Sequence, residues 1–223
     1  MRKFILDDNG IGMVASSIEM MRDDGCRSVV VVCPARKEEQ WKMRIYEHGP
    51  DVRCFMISRW GMIYDGERIR REFRHPKGQR FFVISYDSMP VLEELLKDVP
   101  EGLRWGVIFD ESHYLKSPKS LRHRRGVKLS RKADSVLMLT MTPISSSVED
   151  ICCQCMVLYP DKKDRVAMYG NGFASLKDFR FVYGMRKLKI NKTFSNVSWD
   201  YQFDDAIALS ERIAPTITQA LAS

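Results

Sequence analysis

The segment Trp105-Gly106-Val107-Ile108-Phe109-Asp110-Glu111-Ser112-His113 runs from apolar and small residues straight into two carboxylates and an imidazole. A short, unbroken apolar run of this kind suits a strand buried on both faces of an open parallel sheet. A half-exposed strand would alternate instead. The polar residues then fall at the carboxyl end of the strand, where ligands bind in such sheets.

Working outward, similar runs recur at Phe4–Leu6, Ser28–Cys33, Arg53–Ile57, Phe81–Ser85 and Ser135–Thr140. Between them lie amphipathic segments at Val14–Arg22, Lys37–His48, Met89–Lys97 and Ser120–Leu129, and the charged stretch Gly61–Arg80 reads as a helix plus an exposed loop. Strand alternating with helix predicts an α/β fold, a mostly parallel sheet with helices on both faces. Ile151–Tyr159 reads as a buried helix closed by Pro160-Asp161. Beyond it the pattern breaks into short pieces rich in Lys and Arg. The predicted organisation is therefore one domain over residues 1–160 and a small, helical C-terminal appendage over 161–223.

With 44% hydrophobic and 29% charged residues, the composition is that of an ordinary globular protein rather than a disordered one. No apolar stretch approaches the ~18 residues of a membrane span. The opening Met1-Arg2-Lys3-Phe4-Ile5-Leu6 meets Asp7 too soon for a signal peptide, so an intracellular location is expected, cytoplasmic and nucleoid-associated if the source is bacterial or phage. A formal charge of +7 points to a polyanionic partner, because Lys and Arg that neutralise phosphates release counterions. The six cysteines form no paired C-x-x-C knuckles, and Cys152, Cys153 and Cys155 sit in the buried helix, where thiols act as small hydrophobes.

The first strand leads into Asp7-Asp8-Asn9-Gly10-Ile11-Gly12-Met13-Val14-Ala15, a glycine-containing turn before a helix. Such a turn cradles phosphates when its backbone NH groups converge at a helix start and a Lys and a Ser or Thr complete the site. The second strand ends Val31-Val32-Cys33-Pro34-Ala35-Arg36 and continues into Glu39-Gln40-Trp41-Lys42. Phe82-Val83-Ile84-Ser85-Tyr86-Asp87-Ser88 follows, and Leu139-Thr140-Met141-Thr142-Pro143-Ile144 closes the series. In this order and spacing the blocks resemble the SWI/SNF-type branch of the superfamily-two helicases. That family carries a D-E-x-G-x-G-K-T loop, a C-P…Q-W-style second block, a D-E-x-H box and an L-T-G-T-P block. The resemblance is strong from Leu6 to about Pro160 and weaker to about Phe181.

The resemblance implies the first RecA-like, P-loop NTPase lobe of a DNA translocase, with ATP and Mg²⁺ as cofactors and double-stranded DNA as partner. It implies that Asp8, Asn9, Gly10, Ile11, Gly12, Met13 and Val14 face the nucleotide. Asp110 would orient Mg²⁺ through its hydration shell and Glu111 would polarise the attacking water. His113, with Thr140 and Thr142, would couple the nucleotide site to DNA contact. Pro34, Ala35 and Arg36 would meet the DNA backbone, as would the Ser85–Ser88 turn. The run Lys116, Lys119, Arg122, Arg124 and Arg125, extended by Lys128, Arg131 and Lys132, can hold phosphates without reading sequence.

Three departures from the family pattern bear on activity. Met13 and Val14 stand in the Lys and Thr places, a loss of charge stabilisation that commonly costs ~10²-fold or more in rate. Met141 replaces a glycine and is expected to crowd its turn. The sequence starts at the first strand and stops before a second lobe, which in the family supplies the arginine finger. Met1 at the first strand together with the lost Lys suggests a naturally reduced protein. A helix is expected over Phe203–Leu221, without the family's Arg-Arg pair at Thr216-Ile217-Thr218. Two readings stay open: an ATPase lobe, weak alone or completed by a second polypeptide carrying the other lobe, and a non-enzymatic pseudo-ATPase module that binds DNA or docks on a partner. A dinucleotide oxidoreductase, with Ala15 as the third small residue of G-x-G-x-x-G, is disfavoured because the second strand ends in Cys33-Pro34 rather than an acidic ribose partner.

Overall fold

The computed structural model describes residues 1–6, 12–48, 51–145, 147–183, 185–190, 195–200 and 217–219. The six strands expected from the apolar runs all form: β1 (Arg2–Leu6), β2 (Ser28–Cys33), β3 (Arg53–Met56), β4 (Arg80–Ser85), β5 (Trp105–Asp110) and β6 (Ser135–Thr140). They pair in parallel in the order β3-β4-β2-β5-β6-β1. Helices α1 (Met13–Asp23), α2 (Glu38–Tyr46), α3 (Arg59–Arg74), α4 (Leu92–Leu95), α5 (Leu121–Lys132), α6 (Glu149–Leu158), α7 (Lys162–Tyr169) and α8 (Leu176–Tyr183) complete the layers. Ahead of α4, Tyr86–Val91 forms a 3₁₀ segment containing Pro90, whose missing N–H suits that tighter turn better than the longer helix predicted there.

The unbroken apolar runs have a direct structural cause. Alternate residues of each strand enter two separate cores. Val30, Val32, Phe82, Ile84, Val107, Phe109, Val136 and Met138 pack on one face with residues of α3, α4, α5, α6 and α8. Val29, Val31, Phe81, Val83, Ile108, Leu137 and Leu139 pack on the other with Ile18, Met21, Trp41 and Ile45 of α1 and α2. Gly106 lets α1 lie close to β5: a Cβ there would stand 2.5 Å from the Met21 sulfur.

The three cysteines of α6 are buried as expected, and burial pushes their thiols up, that of Cys153 to about 12. Residues 161–183 fold back onto this helix. Phe173, Phe179 and Tyr183 join the same core as Cys155, and the buried Arg165 donates to the carbonyls of Tyr159, Pro160, Phe173 and Ala174. Strands β7 (Met185–Ile190) and β8 (Ser195–Asp200) form an antiparallel hairpin. The helix expected over 203–221 falls mostly outside the described residues. Within it, Ile217–Gln219 is instead a strand, β9, which pairs in parallel with the otherwise open edge of β1; an open edge offers unpaired NH and CO groups to any nearby chain.

Candidate functional site

The sheet register decides which sequence blocks meet. Cys33 lies opposite Ser85, Val32 opposite Phe109, Asp110 opposite Leu139, and Leu6 opposite Thr140. The carboxyl ends of β4, β2, β5, β6 and β1 therefore form one edge. Along it stand the Ser85–Ser88 turn, the Pro34–Lys37 turn, the Asp110-Glu111 box, the Thr140–Pro143 turn and the entry to α1. The gathering of these blocks predicted from sequence is what the fold produces.

Asp110 ends β5 with its side chain nearly closed off from water, the residue being 3% exposed. Its Oδ1 accepts from the Glu111 backbone NH at 2.9 Å, and its Oδ2 accepts from the Trp41 indole NH of α2 at 2.9 Å. The Tyr86 hydroxyl donates to its backbone carbonyl at 2.8 Å. Glu111 adopts a left-handed conformation, φ 52° and ψ 54°, a conformation that costs a non-glycine residue roughly 1 kcal/mol or more. That turn aims its carboxylate back across the edge. There it meets Lys37, one turn beyond β2: the Lys37 ammonium donates to Glu111 Oε1 at 2.7 Å and lies 3.4 Å from Asp110 Oδ2. Burial pulls the Lys37 ammonium down, but the two carboxylates more than offset it, so the group is held above its ordinary value. Burial dominates at Asp110 and raises its carboxyl despite Lys37 and Trp41. Both partners are thus costly to bury alone, and each is tolerable only in the other's company.

His113 follows in a 3₁₀ turn, Ser112–Leu115, with Nδ1 3.4 Å from Glu111 Oε2; burial holds its imidazole below the usual value. Ser112 is fully buried and donates to Gln154 Oε1 of α6 at 2.6 Å, while Gln154 Nε2 donates to the Pro143 carbonyl at 2.6 Å. Gln154 thus ties the acidic box to the Thr140–Pro143 turn, a link the sequence reading missed. Thr140 is buried and its Oγ1 accepts from the Thr142 backbone NH at 3.1 Å, which closes that turn. Thr142 itself is exposed. Met141 is 46% exposed, so its side chain points outward and does not crowd the turn as expected.

Of the phosphate-loop residues, Asp8, Asn9, Gly10 and Ile11 lie outside the described residues. Gly12 precedes α1 and accepts from the Ser16 NH. Met13, the first residue of α1, is only 5% exposed and sits in the core beneath α1 and α2, with Val14 packed against the same cluster. Both side chains serve packing. Neither can bind phosphate or Mg²⁺.

For the basic residues, Pro34 is buried and Ala35 and Arg36 are exposed at the edge. Arg122 pairs with Asp87 at 2.7 Å and lies over the Tyr114 ring, which joins the Ser85–Ser88 turn to the start of α5. Lys116 donates to Ser145 and lies 3.8 Å from Asp150. Lys119 and Arg124 are exposed. Arg125 lies partly exposed beside Lys128 and Lys132, lining a groove with Met89 and Leu92. Lys128 pairs with Glu93 and Arg131 with Asp161. The helix thus spreads the basic run along its length, at about 1.5 Å per residue, and only its first turn reaches the functional edge.

The Mg²⁺ implied by resemblance would meet carboxylates that already have partners, and most of the loop implied to face ATP lies outside the described residues. Three of the four carboxylate oxygens of the box already accept from Lys37, Trp41 or the Glu111 NH.

Comparison with known proteins agrees with the architecture. The SWI2/SNF2 ATPase core of Sulfolobus solfataricus in complex with dsDNA superposes with a TM-score of 0.62 at 17% identity, over 98% of this chain and 40% of that one, which shows a shared fold. In sequence the chain is 27% identical to mouse chromodomain-helicase-DNA-binding protein 1-like over 165 residues, 70% of this chain and 17% of that protein. It is 24% identical to helicase SWR1 of Debaryomyces hansenii over 198 residues, 86% of this chain and 12% of that protein. The chain therefore spans less than a fifth of either relative. The model of the SNF2-related domain matches residues 5–188, well over half of the chain, and the chain belongs to that family.

Proposed function

We propose that this chain is the first lobe of a SWI/SNF-like DNA translocase that holds duplex DNA by its phosphate backbone and hydrolyses ATP weakly or not at all by itself. The observation that carries this reading is the shared edge: the exposed Arg36 turn, the Ser85–Ser88 turn and the first turn of α5 flank the acidic box on consecutive strand ends. The archaeal ATPase core that shares this fold is in complex with dsDNA, which supports the choice of ligand. Contacts of this kind neutralise phosphates without reading bases, as a motor moving along any sequence requires.

Fluorescence anisotropy on a labelled duplex at several salt concentrations tests it. The wild-type chain is expected to bind with a steep salt dependence, and Arg36→Ala, Lys119→Ala and Arg124→Ala each to reduce the salt slope by about 1 without changing sequence preference. Absence of duplex binding at low salt rejects the reading. ATP hydrolysis is followed in the same samples beside a Glu111→Gln control; robust, DNA-stimulated turnover that the control abolishes rejects the claim of weak catalysis. A second reading, a pseudo-ATPase module without turnover, is favoured by Met13 packing into the core where a phosphate lysine would stand. In either case a motor would need a second RecA-like lobe beside this one.

A further inference from the structure

We propose that Lys37 is a built-in counter-cation of the acidic box, bridging its two carboxylates, so that Asp110 and Glu111 are neutralised from within the chain and do not recruit Mg²⁺. The inference rests on reading those carboxylates as the family's metal-facing pair, and it concerns what this chain has done with them.

Four observations converge. The Lys37 ammonium bridges the two carboxylates, 2.7 Å from Glu111 Oε1 and 3.4 Å from Asp110 Oδ2. The second donor on Asp110 Oδ2 is Trp41, held in the core 1% exposed, so that oxygen already has two partners and cannot turn freely toward a metal. Oδ1 is committed to the Glu111 backbone. Finally, the start of α1 offers Met13 and Val14, a thioether in the core and an isopropyl group, where a metal would need a hydroxyl. Mg²⁺ demands oxygen ligands at about 2.1 Å in near-octahedral array. Bound directly or through its hydration shell, the ion would have to share Asp110 Oδ2 with the Lys37 ammonium, which lies 3.4 Å from it. Lys37 thus serves as a positioning residue, fixing the carboxylates and the strained Glu111 turn without an external cation.

Mn²⁺, read by the electron paramagnetic resonance signal of the free aqua ion, serves as the probe, with the full chain and its Lys37→Met, Lys37→Arg, Asp110→Asn and Lys37→Met/Asp110→Asn variants. The wild-type and Lys37→Arg chains are expected to show no saturable site. Lys37→Met is expected to gain one because a single opposing charge has been removed, and the double variant to lose it again. A wild-type site abolished by Asp110→Asn overturns the proposal, as does a folded Lys37→Met chain that gains nothing. Should Lys37→Met fail to fold by circular dichroism, the wild-type chain decides alone. Its thermal midpoint is expected to stay unchanged with added Mg²⁺ at constant ionic strength, and a rise that saturates with Mg²⁺ overturns the proposal. Duplex anisotropy on the same samples separates the two claims: failure to bind DNA rejects the proposed function and leaves the metal result standing, and the reverse holds equally.

Discussion

The start of α1 and the end of β5 face the same sheet edge, and their side chains serve different ends there. At α1, Met13 is buried in the core and Val14 packs against the same cluster. At β5 the carboxylates are kept, but their partners lie within the chain, Lys37 and Trp41 reaching them from the neighbouring turn and helix. An apolar residue at a helix start is easily absorbed by a core below it. A buried carboxylate such as Asp110 is not, because removing one member of a charged set leaves the others unpaired in a poorly solvated place. One sheet edge can therefore carry a structural ion cluster at a strand end and plain packing at a neighbouring helix start.

The largest effect is expected where that cluster is broken. Asp110→Ala strands the Trp41 NH and deprives Lys37 of a partner, and urea unfolding should show a loss of about 3 kcal/mol. A loss well under about 1 kcal/mol would mean that the cluster is not structural, and would erase the contrast with α1.

A smaller effect is expected at the other end. Met13→Lys places an ammonium in an apolar cluster, and should lower stability by about 2 kcal/mol, whereas Met13→Leu should stay within about 1.5 kcal/mol. Restored ATP turnover in Met13→Lys, with stability unchanged, would show that the α1 entry has remained a phosphate site in waiting.

The smallest effect concerns pH. His123 of α5 is buried and its Nδ1 lies 2.7 Å from the Leu115 carbonyl, tying α5 to the turn behind the acidic box. Burial lowers its pKa from the ordinary 6.5. A depressed folded value means the neutral ring is favoured by folding, so its contribution is complete above pH 6.5 and is lost as pH falls through the folded value. Thermal midpoints measured from neutral to mildly acidic pH should decline, and His123→Gln, which keeps a donor without titrating in this range, should flatten that decline. An identical decline in the variant would remove His123 from the account.

Much of this was legible in the residues alone. Strand runs as continuous as Val29–Cys33 and Val107–Phe109 announce burial on both faces, and a parallel sheet then sends the residues after each strand to a common edge. Asp110, Glu111, Thr140 and Met13 were singled out by their resemblance to the family's blocks, and the strand ends bring them to that edge. Residues 203–221 were less legible, for no core-facing period marks Ile217–Gln219, which gains its place by pairing with β1.

Tertiary structure alone decided the role of Lys37. In sequence it is one more cation after Pro34-Ala35-Arg36, and its partner Glu111 lies 74 residues away. The two meet because β2 and β5 are neighbours in the sheet and because a left-handed turn points Glu111 back toward that gap. Gln154 and Trp41 became visible in the same way, and α5 dispersed a basic run that looked continuous on paper. Local pattern fixes burial and chain direction, since these depend on side-chain periodicity. Which charge meets which depends on strand order and register, which the whole chain settles together.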